Sequence, residues 1–305
     1  MTTAAPFQQA RGRLKEQAPL AARSWFRTGG AADWLFVPQD AEDLATALRQ
    51  CPPDLPVTVL GACSNVIIRD GGLPGLTIRL AGGFANIETD GDGLIAGAAA
   101  LDSSVAETAA QAGMAGFAFL STIPGSIGGA VCMNAGAYGG DLSTLLDWVE
   151  ILTREGTIQR LPTPALEMRY RHSSLPEGSI VLRARLKAHG AEDPATIQQT
   201  MQEMRASREA SQPLRARTGG STFRNPEGHR AWELIDAAGC RGLRHGGAQI
   251  SEKHCNFMLN TGDATSTELE ELGEMVRARV LDSSGITLHW EIRRLGRSLS
   301  PASPS

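Results

Sequence analysis

Glycine-rich turns crowd the first half of this chain, and they limit what it can fold into more than any other feature does. Four segments are dense in Gly, Ser and Asn: residues 27–31, 61–65, 123–130 and 134–139. Glycine allows the backbone to approach a ligand closely, and consecutive free N–H groups form nests that bind anions. Each segment alone also fits an ordinary tight turn. The four together favour a long ligand that carries a diphosphate.

The common nucleotide-binding motifs are missing from the sequence. The Rossmann fingerprint G-x-G-x-x-G does not occur, because residues 91–97 have the wrong spacing and no clear strand precedes them. A Walker A loop would need Gly-Lys followed by Ser or Thr, which is also absent. We therefore expect any nucleotide to be bound by another type of fold.

Length and composition set the broad class. A chain of 305 residues exceeds the roughly 100–200 residues of one average domain, so we expect two or three domains. With 42% hydrophobic and 20% charged residues it can bury sizeable cores, and a formal charge of -4 gives no basic footprint for nucleic acid. No apolar run approaches the roughly 18 residues of a membrane span, and the first residues lack a secretory signal. We expect a cytoplasmic protein with neither membrane nor nucleic-acid partners.

The cysteines give no indication of a disulfide framework or of a metal site. The chain has five, scattered along its length, and none forms a C-x-x-C pair. Both kinds of site would need closer grouping, so we expect reduced thiols and no metal ion.

Hydrophobic periodicity predicts a mixture of strands and helices. Four runs have the pattern of strands: residues 57–60, 76–80, 180–186 and 286–292. Four others have the spacing of helices, beginning near Asp40, Asp102, Pro194 and Thr265. The elements lack a regular βαβ period, which favours α+β domains over one doubly wound sheet.

A polar segment at residues 189–194 is the best candidate for a domain boundary. Beyond it, Ser221 follows Gly219 and Gly220 in a loop without the G-x-S-x-G elbow of a hydrolase nucleophile. Such a serine can donate a proton if a neighbouring group supports that role. A purely structural role for this loop serine fits the pattern as well.

An ordered set of short motifs runs through nearly the whole chain. In order they are residues 26–32 (FRTGGAA), 64–65 (SN), 123–129 (IPGSIGG), 133–139 (MNAGAYG), 170–173 (YRHS), 212–213 (QP), 219–226 (GGSTFRNP), 234–239 (LIDAAG), 251–257 (SEKHCNF) and 291–296 (EIRRLG). Each motif is weak alone, but the ordered set is specific. The chain resembles the UDP-N-acetylenolpyruvoylglucosamine reductases, the MurB family.

The resemblance implies an α+β chain, with a two-subdomain FAD-binding fold of the vanillyl-alcohol-oxidase (PCMH) type followed by a smaller α+β substrate-binding domain. We expect the FAD-binding domain at residues 1–190, split near residue 85, the substrate domain at 191–297 and a flexible tail at 298–305. The implied ligands are non-covalent FAD, NADPH as hydride donor and UDP-N-acetylglucosamine enolpyruvate as substrate, in a monomer. The residues expected to bind FAD are Gly61, Ser64, Asn65, Ile123, Pro124, Gly125, Ser126, Gly128, Gly129, Asn134, Ala135 and Gly136.

In this family an arginine, a serine and a glutamate carry the chemistry, and the motifs place them at Arg171, Ser221 and Glu291. Hydride transfer from FAD to C3 of the enolpyruvyl group leaves negative charge on C2 and the carboxylate. A permanently charged, bidentate Arg171 suits that charge. Ser221 would protonate C2 to give UDP-N-acetylmuramate, a peptidoglycan precursor, and Glu291 would help to hold the network. Outside the family, a surface salt bridge and a solvated strand face would explain Arg171 and Glu291.

The sequence departs from the family pattern at two cysteines. Cys63 stands where the motif Leu-Gly-x-Gly-Ser-Asn has its second glycine, and a positive φ there would cost a cysteine about 1–3 kcal/mol. Cys132 stands where related sequences often carry a longer or basic residue. Ser221 follows Arg171 by only about 50 positions, which leaves no room for an extra loop bearing a tyrosine. The chain therefore resembles the branch of the family that lacks this tyrosine loop.

Two other functions remain open from the sequence. The first is another FAD-dependent oxidase on the same fold, which would pass electrons to oxygen. Relatives of that kind often attach FAD through a histidine, and neither His172 nor His189 lies in a glycine-rich turn. The second is a nucleotide-sugar binding module without activity, against which the presence of all three family catalytic residues argues.

Overall fold

The computed structural model describes residue 7 and residues 9–299. Its β-strands are β1 Arg13–Pro19, β2 Ala31–Val37, β3 Val57–Leu60, β4 Val66–Ile68, β5 Leu73–Arg79, β6 Ile87–Asp90, β7 Gly93–Gly97, β8 Gly136–Ala137, β9 Gly140–Asp141, β10 Leu146–Leu152, β11 Ile158–Pro162, β12 Ile180–Lys187, β13 Arg244–His245, β14 Ala248–Ile250, β15 Met258–Asn260 and β16 Arg293–Leu295. Its α-helices are α1 Ala41–Gln50, α2 Asp102–Gln111, α3 Ile127–Met133, α4 Pro194–Ser211, α5 Ala231–Ala237 and α6 Ser266–Ser284. None of the helices in the described part is long and apolar enough to cross a membrane.

The chain divides into two compact units, each assembled from separate segments. The first unit takes the described residues up to Lys15 together with Leu35–Ala62 and Gly75–Ser207, and the second takes Glu16–Trp34, Cys63–Pro74 and the chain from Arg208 onward. The predicted boundary at residue 190 separates an FAD-binding domain from a substrate-binding domain. This division by ligand stays a prediction. The predicted tail at residues 298–305 lies outside the described residues, apart from its first two positions.

The first unit contains a five-stranded antiparallel sheet in the order β11-β10-β12-β7-β6. From Leu182 onward its central strand β12 alternates as a half-buried strand should, with Ala184 and Leu186 fully buried and Arg183 exposed. Helices α2 and α3 pack against β7 and β12. On the charged side of the sheet, Arg185 Nε donates to Asp90 Oδ2 at 2.6 Å. The sheet and its two helices position the glycine-rich loop between them.

Capping residues that can be read in the sequence begin two of the helices. Asp40 accepts a hydrogen bond from the Asp43 N–H at 2.8 Å at the start of α1. At α6, the Thr265 hydroxyl accepts from the Glu268 N–H at 3.1 Å, and Glu268 Oε2 accepts from the Thr265 N–H at 2.9 Å. These bonds satisfy N–H groups that have no partner within the helix. The helices predicted near Asp40, Asp102, Pro194 and Thr265 are confirmed as α1, α2, α4 and α6, and three predicted strands are confirmed as β3, β5 and β12.

The core of the second unit forms around one face of α6. Four apolar residues of this helix are fully buried: Leu269, Leu272, Val276 and Val280. Ile250 and Met258, from the sheet with strand order β13-β14-β15, belong to the same core. Burial of each such side chain contributes about 1.5–3 kcal/mol. Nearby in this unit, β16 pairs in parallel with β4.

The strand predicted over residues 286–292 is wrong. The structure begins β16 only at Arg293, and within the described residues this segment has one isolated bridge, at Trp290. Its alternating pattern reflects packing on a helix instead. Leu288 is fully buried, and the Trp290 ring lies against Gly273 of α6, where a Cβ would overlap it. One-sided burial thus produces a period of two without a strand ladder.

Candidate active site

The predicted cofactor residues fall in both units. Ten of them lie in the first unit: Gly61, Ile123, Pro124, Gly125, Ser126, Gly128, Gly129, Asn134, Ala135 and Gly136. Ser64 and Asn65 lie in the second unit. Of the predicted catalytic residues, Arg171 belongs to the first unit, and Ser221 and Glu291 belong to the second.

The loop at residues 123–126 is anchored to the segment that leads into α2. The Asp102 N–H donates to the Gly125 carbonyl at 3.2 Å, and the Ile127 N–H donates to the Ala100 carbonyl at 3.0 Å. Together these bonds form an antiparallel bridge next to Ser126. Main-chain pairing therefore helps to fix the position of this loop at the start of α3.

Two predicted cofactor loops meet in the first unit at Gly61 and Ser126. A Cβ on Gly61 would lie 2.9 Å from Ser126 Oγ, so glycine leaves the room that a larger residue would fill. Ser126 is 4% exposed, and its hydroxyl has no hydrogen-bond partner among the described residues. A Cβ on Gly129 would meet nothing within 4 Å. A glycine-lined space beside an unsatisfied buried hydroxyl fits the diphosphate of FAD, because phosphate oxygens accept hydrogen bonds from such groups.

Asn134 shapes the end of α3 through its own side chain. Its backbone is left-handed, with φ 39°. Its Oδ1 accepts from the Ser143 N–H at 2.9 Å, and its Nδ2 donates to the Arg169 carbonyl at 3.2 Å. Asn134 therefore links three separate segments of the first unit, the last of which carries Arg171.

Arg171 lies in a tight turn whose ends pair through the main chain. The Arg169 N–H donates to the His172 carbonyl and the His172 N–H donates to the Arg169 carbonyl, both at 3.0 Å. Arg171 has φ 55° in this turn, and its Nη2 donates to the Gly136 carbonyl at 3.2 Å. A left-handed backbone at a non-glycine residue is uncommon and frequently marks a functional site.

Ser221 and Glu291 lie on neighbouring segments of the second unit. The Glu291 N–H donates at 2.8 Å to the carbonyl of Thr222, the residue after Ser221. One residue further, the Phe223 N–H donates to Asn256 Oδ1 at 3.0 Å, and Asn256 Nδ2 donates back to the Phe223 carbonyl at 2.8 Å. The structure thus brings the segments of these two predicted catalytic residues together by a main-chain bond, and the Asn256 side chain holds the Ser221 segment.

The turn that precedes Ser221 requires glycine. A Cβ on Gly219 would lie 2.5 Å from the Phe26 ring, and Gly220 has φ 79° with open space around it. Thr218 and Thr222, on either side of this turn, are buried and their hydroxyls have no hydrogen-bond partner among the described residues. The half-buried Ser221 is therefore presented by a turn built for close approach.

Asn65 connects its loop to the Glu291 segment within the second unit. Its Nδ2 donates to the Glu291 carbonyl at 3.2 Å, and its own carbonyl accepts from the Arg293 N–H at 3.1 Å. Just before it, Cys63 has φ 55°, in the left-handed region that the family's glycine adopts without strain. Cys63 therefore has the positive φ at which a cysteine, unlike glycine, adopts a strained backbone.

Comparison with known proteins decides the family. Residues 32–162 match the family described as FAD binding domain, and residues 212–295 match the C-terminal domain of UDP-N-acetylenolpyruvoylglucosamine reductase. The UDP-N-acetylenolpyruvoylglucosamine reductase of Gluconobacter oxydans is 63% identical over 96% of this chain and 95% of its own length. That of Granulibacter bethesdensis is 60% identical over 95% and 93%. The chain belongs to the UDP-N-acetylenolpyruvoylglucosamine reductase family.

A solved structure of this reductase family supports the same assignment. The crystal structure of UDP-N-acetylenolpyruvylglucosamine reductase (MurB) from Thermus caldophilus matches with a TM-score of 0.82 and 35% identity, covering 93% of this chain and 100% of that one. These matches confirm the resemblance predicted from the motifs. They also confirm the predicted class, an α+β FAD-binding fold followed by a C-terminal reductase domain. The branch without the tyrosine loop stays a prediction.

One buried ionisable residue of this reductase was missed by the sequence analysis, which took Asp102 only as the start of a helix. Asp102 is fully buried, and neither carboxyl oxygen has a hydrogen-bond partner among the described residues. Burial raises the pKa of Asp102 from its ordinary 3.8 to about 8. The start of α2 favours a carboxylate by only about 0.3–1 kcal/mol, so burial dominates. The one feature of the sequence that indicates the burial of Asp102 is the apolar run at residues 98–101, which directly precedes it.

An open cavity of about 360 Å³ lies elsewhere in the first unit. Asp40, Phe84, Glu150 and Arg183 are among the residues that line it, and the lining includes none of the predicted site residues.

Proposed function

We propose that this protein is an FAD-dependent reductase that converts UDP-N-acetylglucosamine enolpyruvate to UDP-N-acetylmuramate at the expense of NADPH. This reaction supplies precursors of peptidoglycan. The observation that carries the proposal is the pairing of the Ser221 and Glu291 segments, in a chain that belongs to this reductase family. The protein acts in the cytoplasm as a monomer.

In the first unit, the Gly61 turn and the loop with Gly125 and Ser126 would hold FAD. Backbone N–H groups of glycine-rich turns bind phosphate oxygens, and the Ser126 hydroxyl has no other hydrogen-bond partner among the described residues. The rest of the proposed set is Ile123, Pro124, Gly128, Gly129, Asn134, Ala135 and Gly136 of the first unit, and Ser64 and Asn65 of the second. When bound, FAD supplies the redox chemistry, accepting electrons from NADPH and passing them to the enolpyruvyl group.

Arg171 binds the carboxylate of the enolpyruvyl group and stabilises the negative charge that reduction places on C2 and that carboxylate. The guanidinium is permanently charged and offers two parallel donors to a carboxylate. The turn from Arg169 to His172 and the bond to the Gly136 carbonyl hold the guanidinium before substrate arrives. A positioned charge of this kind requires no reorganisation during the reaction.

Ser221 donates the proton that completes the reaction at C2. Its hydroxyl is carried by a turn in which Gly219 and Gly220 permit close approach. Glu291 holds this proton donor in place, since its own main chain is bonded to Thr222 and Asn65. A positioned general acid contributes about 10²–10⁴-fold to a reaction rate.

The spectrum of the purified protein tests this function. The protein should be yellow, acid precipitation should release FAD into the supernatant, and NADPH should bleach the colour without oxygen. Addition of the enolpyruvyl substrate, still without oxygen, should restore it. If only oxygen restores the colour, the protein is the alternative FAD oxidase. A protein without flavin would overturn the assignment.

A further inference from the structure

Asp102 lies directly under the turn at Gly125 and Ser126. A Cβ on Gly125 would lie 2.5 Å from Asp102 Oδ2, and the main chains of the two residues are joined by a hydrogen bond of 3.2 Å. Asp102 is fully buried, and both of its carboxyl oxygens lack a hydrogen-bond partner among the described residues. The buried Asp102 carboxyl group therefore lies directly against a loop that is proposed to hold FAD.

Among the residues that the structure describes, no charged group offsets the burial of the Asp102 carboxyl. Strand β7, the short helix Ala118–Thr122 and the loop at residues 123–126 carry no titratable side chain. On α2 itself, Glu107 is paired with Arg205 at 2.6 Å, and α3 carries only the thiol of Cys132. A buried carboxylate without a partner is strongly disfavoured, so the group is held as the neutral acid.

We propose that Asp102 is a positioning residue for FAD that must remain uncharged, because its ionisation beneath the Gly125–Ser126 turn repels the diphosphate and releases the cofactor. The proposal rests on the proposed function, since it takes FAD as the ligand of this loop. As a neutral acid, Asp102 supports the turn without adding negative charge to it. As a carboxylate, it stands next to a second anion in a place that water does not reach.

The size of the effect follows from the fraction of protein that is competent to bind. Burial raises the pKa of Asp102 to about 8, so nearly all of the protein is neutral at this position at about pH 7. At about pH 9.5 only about one molecule in 30 is neutral there. Because apparent affinity scales with the competent fraction, the Kd for FAD should rise about 30-fold between these two pH values.

The test is the release of FAD from diluted holoenzyme, followed by flavin fluorescence across this pH range. The wild-type protein should lose affinity about 30-fold, whereas Asp102→Asn, which is neutral at every pH, should change by less than about threefold. Groups common to both proteins, including the Cys132 thiol, cancel in the comparison. Equal pH dependence in the two proteins would overturn the proposal. A wild-type protein that binds no FAD at any pH would instead overturn the proposed function, and this inference with it.

A second measurement on the wild-type chain needs no variant. Linkage requires that if ionisation of Asp102 weakens FAD binding, then FAD must raise the pKa of Asp102. Carbon NMR of the aspartate carboxyl groups, with and without FAD, measures that titration directly. The Asp102 signal should titrate at higher pH in the holoenzyme, by at least about one unit. An unchanged or lower titration point with FAD bound would contradict the role.

Discussion

Replacement of Asp102 by asparagine should make the protein more stable at neutral pH, although it alters a fully buried polar residue. The unfolded chain ionises this aspartate at its ordinary pKa of 3.8, whereas in the folded protein burial raises the pKa to about 8. Between these values the folded state binds one more proton than the unfolded state. Asp102 therefore contributes stability that is fully present below about pH 4 and is lost as the pH rises towards 8.

The magnitude follows from the slope of about 1.4 kcal/mol per pH unit for one proton. From about pH 5 to pH 7 the free energy of unfolding of the wild-type protein should fall by about 2.7 kcal/mol more than that of Asp102→Asn. At pH 7 the full linkage corresponds to about 4 kcal/mol in favour of the variant. An asparagine amide left without partners offsets about 1–3 kcal/mol of this gain at every pH. The amide offset is the same at every pH, so it cancels from the pH dependence. The difference between the two proteins in the slope of unfolding free energy against pH is therefore a better test than the difference at one pH.

Urea unfolding of the holoenzyme at pH 5, 6 and 7 measures that slope. Asp43→Asn is the matched control, because Asp43 is equally buried but accepts hydrogen bonds from the N–H groups of Arg11 and Gln39 at 2.7 and 2.8 Å. An amide at position 43 turns one acceptor into a donor, which should destabilise the protein by about 1–3 kcal/mol. Parallel pH dependence of the wild-type protein and Asp102→Asn would refute the argument that Asp102 is buried as a neutral acid.

Three further predictions concern other sites. Arg171→Lys should leave flavin reduction by NADPH nearly unchanged and lower turnover with substrate, because an ammonium lacks the planar fork; near-normal turnover in steady-state assays would contradict charge stabilisation by Arg171. Cys63→Gly should be about 1 kcal/mol more stable than Cys63→Ala in urea unfolding, since φ is 55° there; an advantage for alanine would show that the turn is not strained. Thr265→Ala removes half of the α6 capping box and should lower the free energy of unfolding by about 1 kcal/mol, whereas Thr267→Ala, within the same helix, loses only its bond to Asp70.

Local signals explain why much of the secondary structure could be predicted. Thr265 and Glu268 have the spacing of a capping box at the start of α6, and Asp40 is a residue type that commonly caps a helix, here α1. The alternation of residues 180–186 predicts β12, and burial alternates along the second half of that strand, from Leu182 to Lys187. Each of these signals depends on residues close together in the sequence.

The features that could not be predicted depend on residues distant in the sequence. The segment at 286–292 has the period of a strand, but Trp290 packs on Gly273 instead of pairing in a ladder. Asp102 is buried at the start of α2, a helix that packs on β7 and on the short helix Ala118–Thr122, whereas its own sequence resembles an ordinary helix start. Local sequence patterns likewise do not predict that each of the two units is assembled from segments that are separate in the sequence. By contrast, Arg171, Ser221 and Glu291 are identified only by the family motifs.

Stopped-flow kinetics of Ser221→Ala tests the central claim, that this serine supplies the proton for reduction of the enolpyruvyl substrate. The hydroxyl acts only after electrons have left the flavin, so reduction by NADPH should proceed at close to the wild-type rate. Reoxidation by substrate should slow by about 10²–10⁴-fold, with partial recovery in Ser221→Cys. Thr218→Val removes a buried neighbouring hydroxyl without a described partner and should leave both half-reactions unchanged. If Ser221→Ala weakens both half-reactions equally, or neither, Ser221 is not the proton donor.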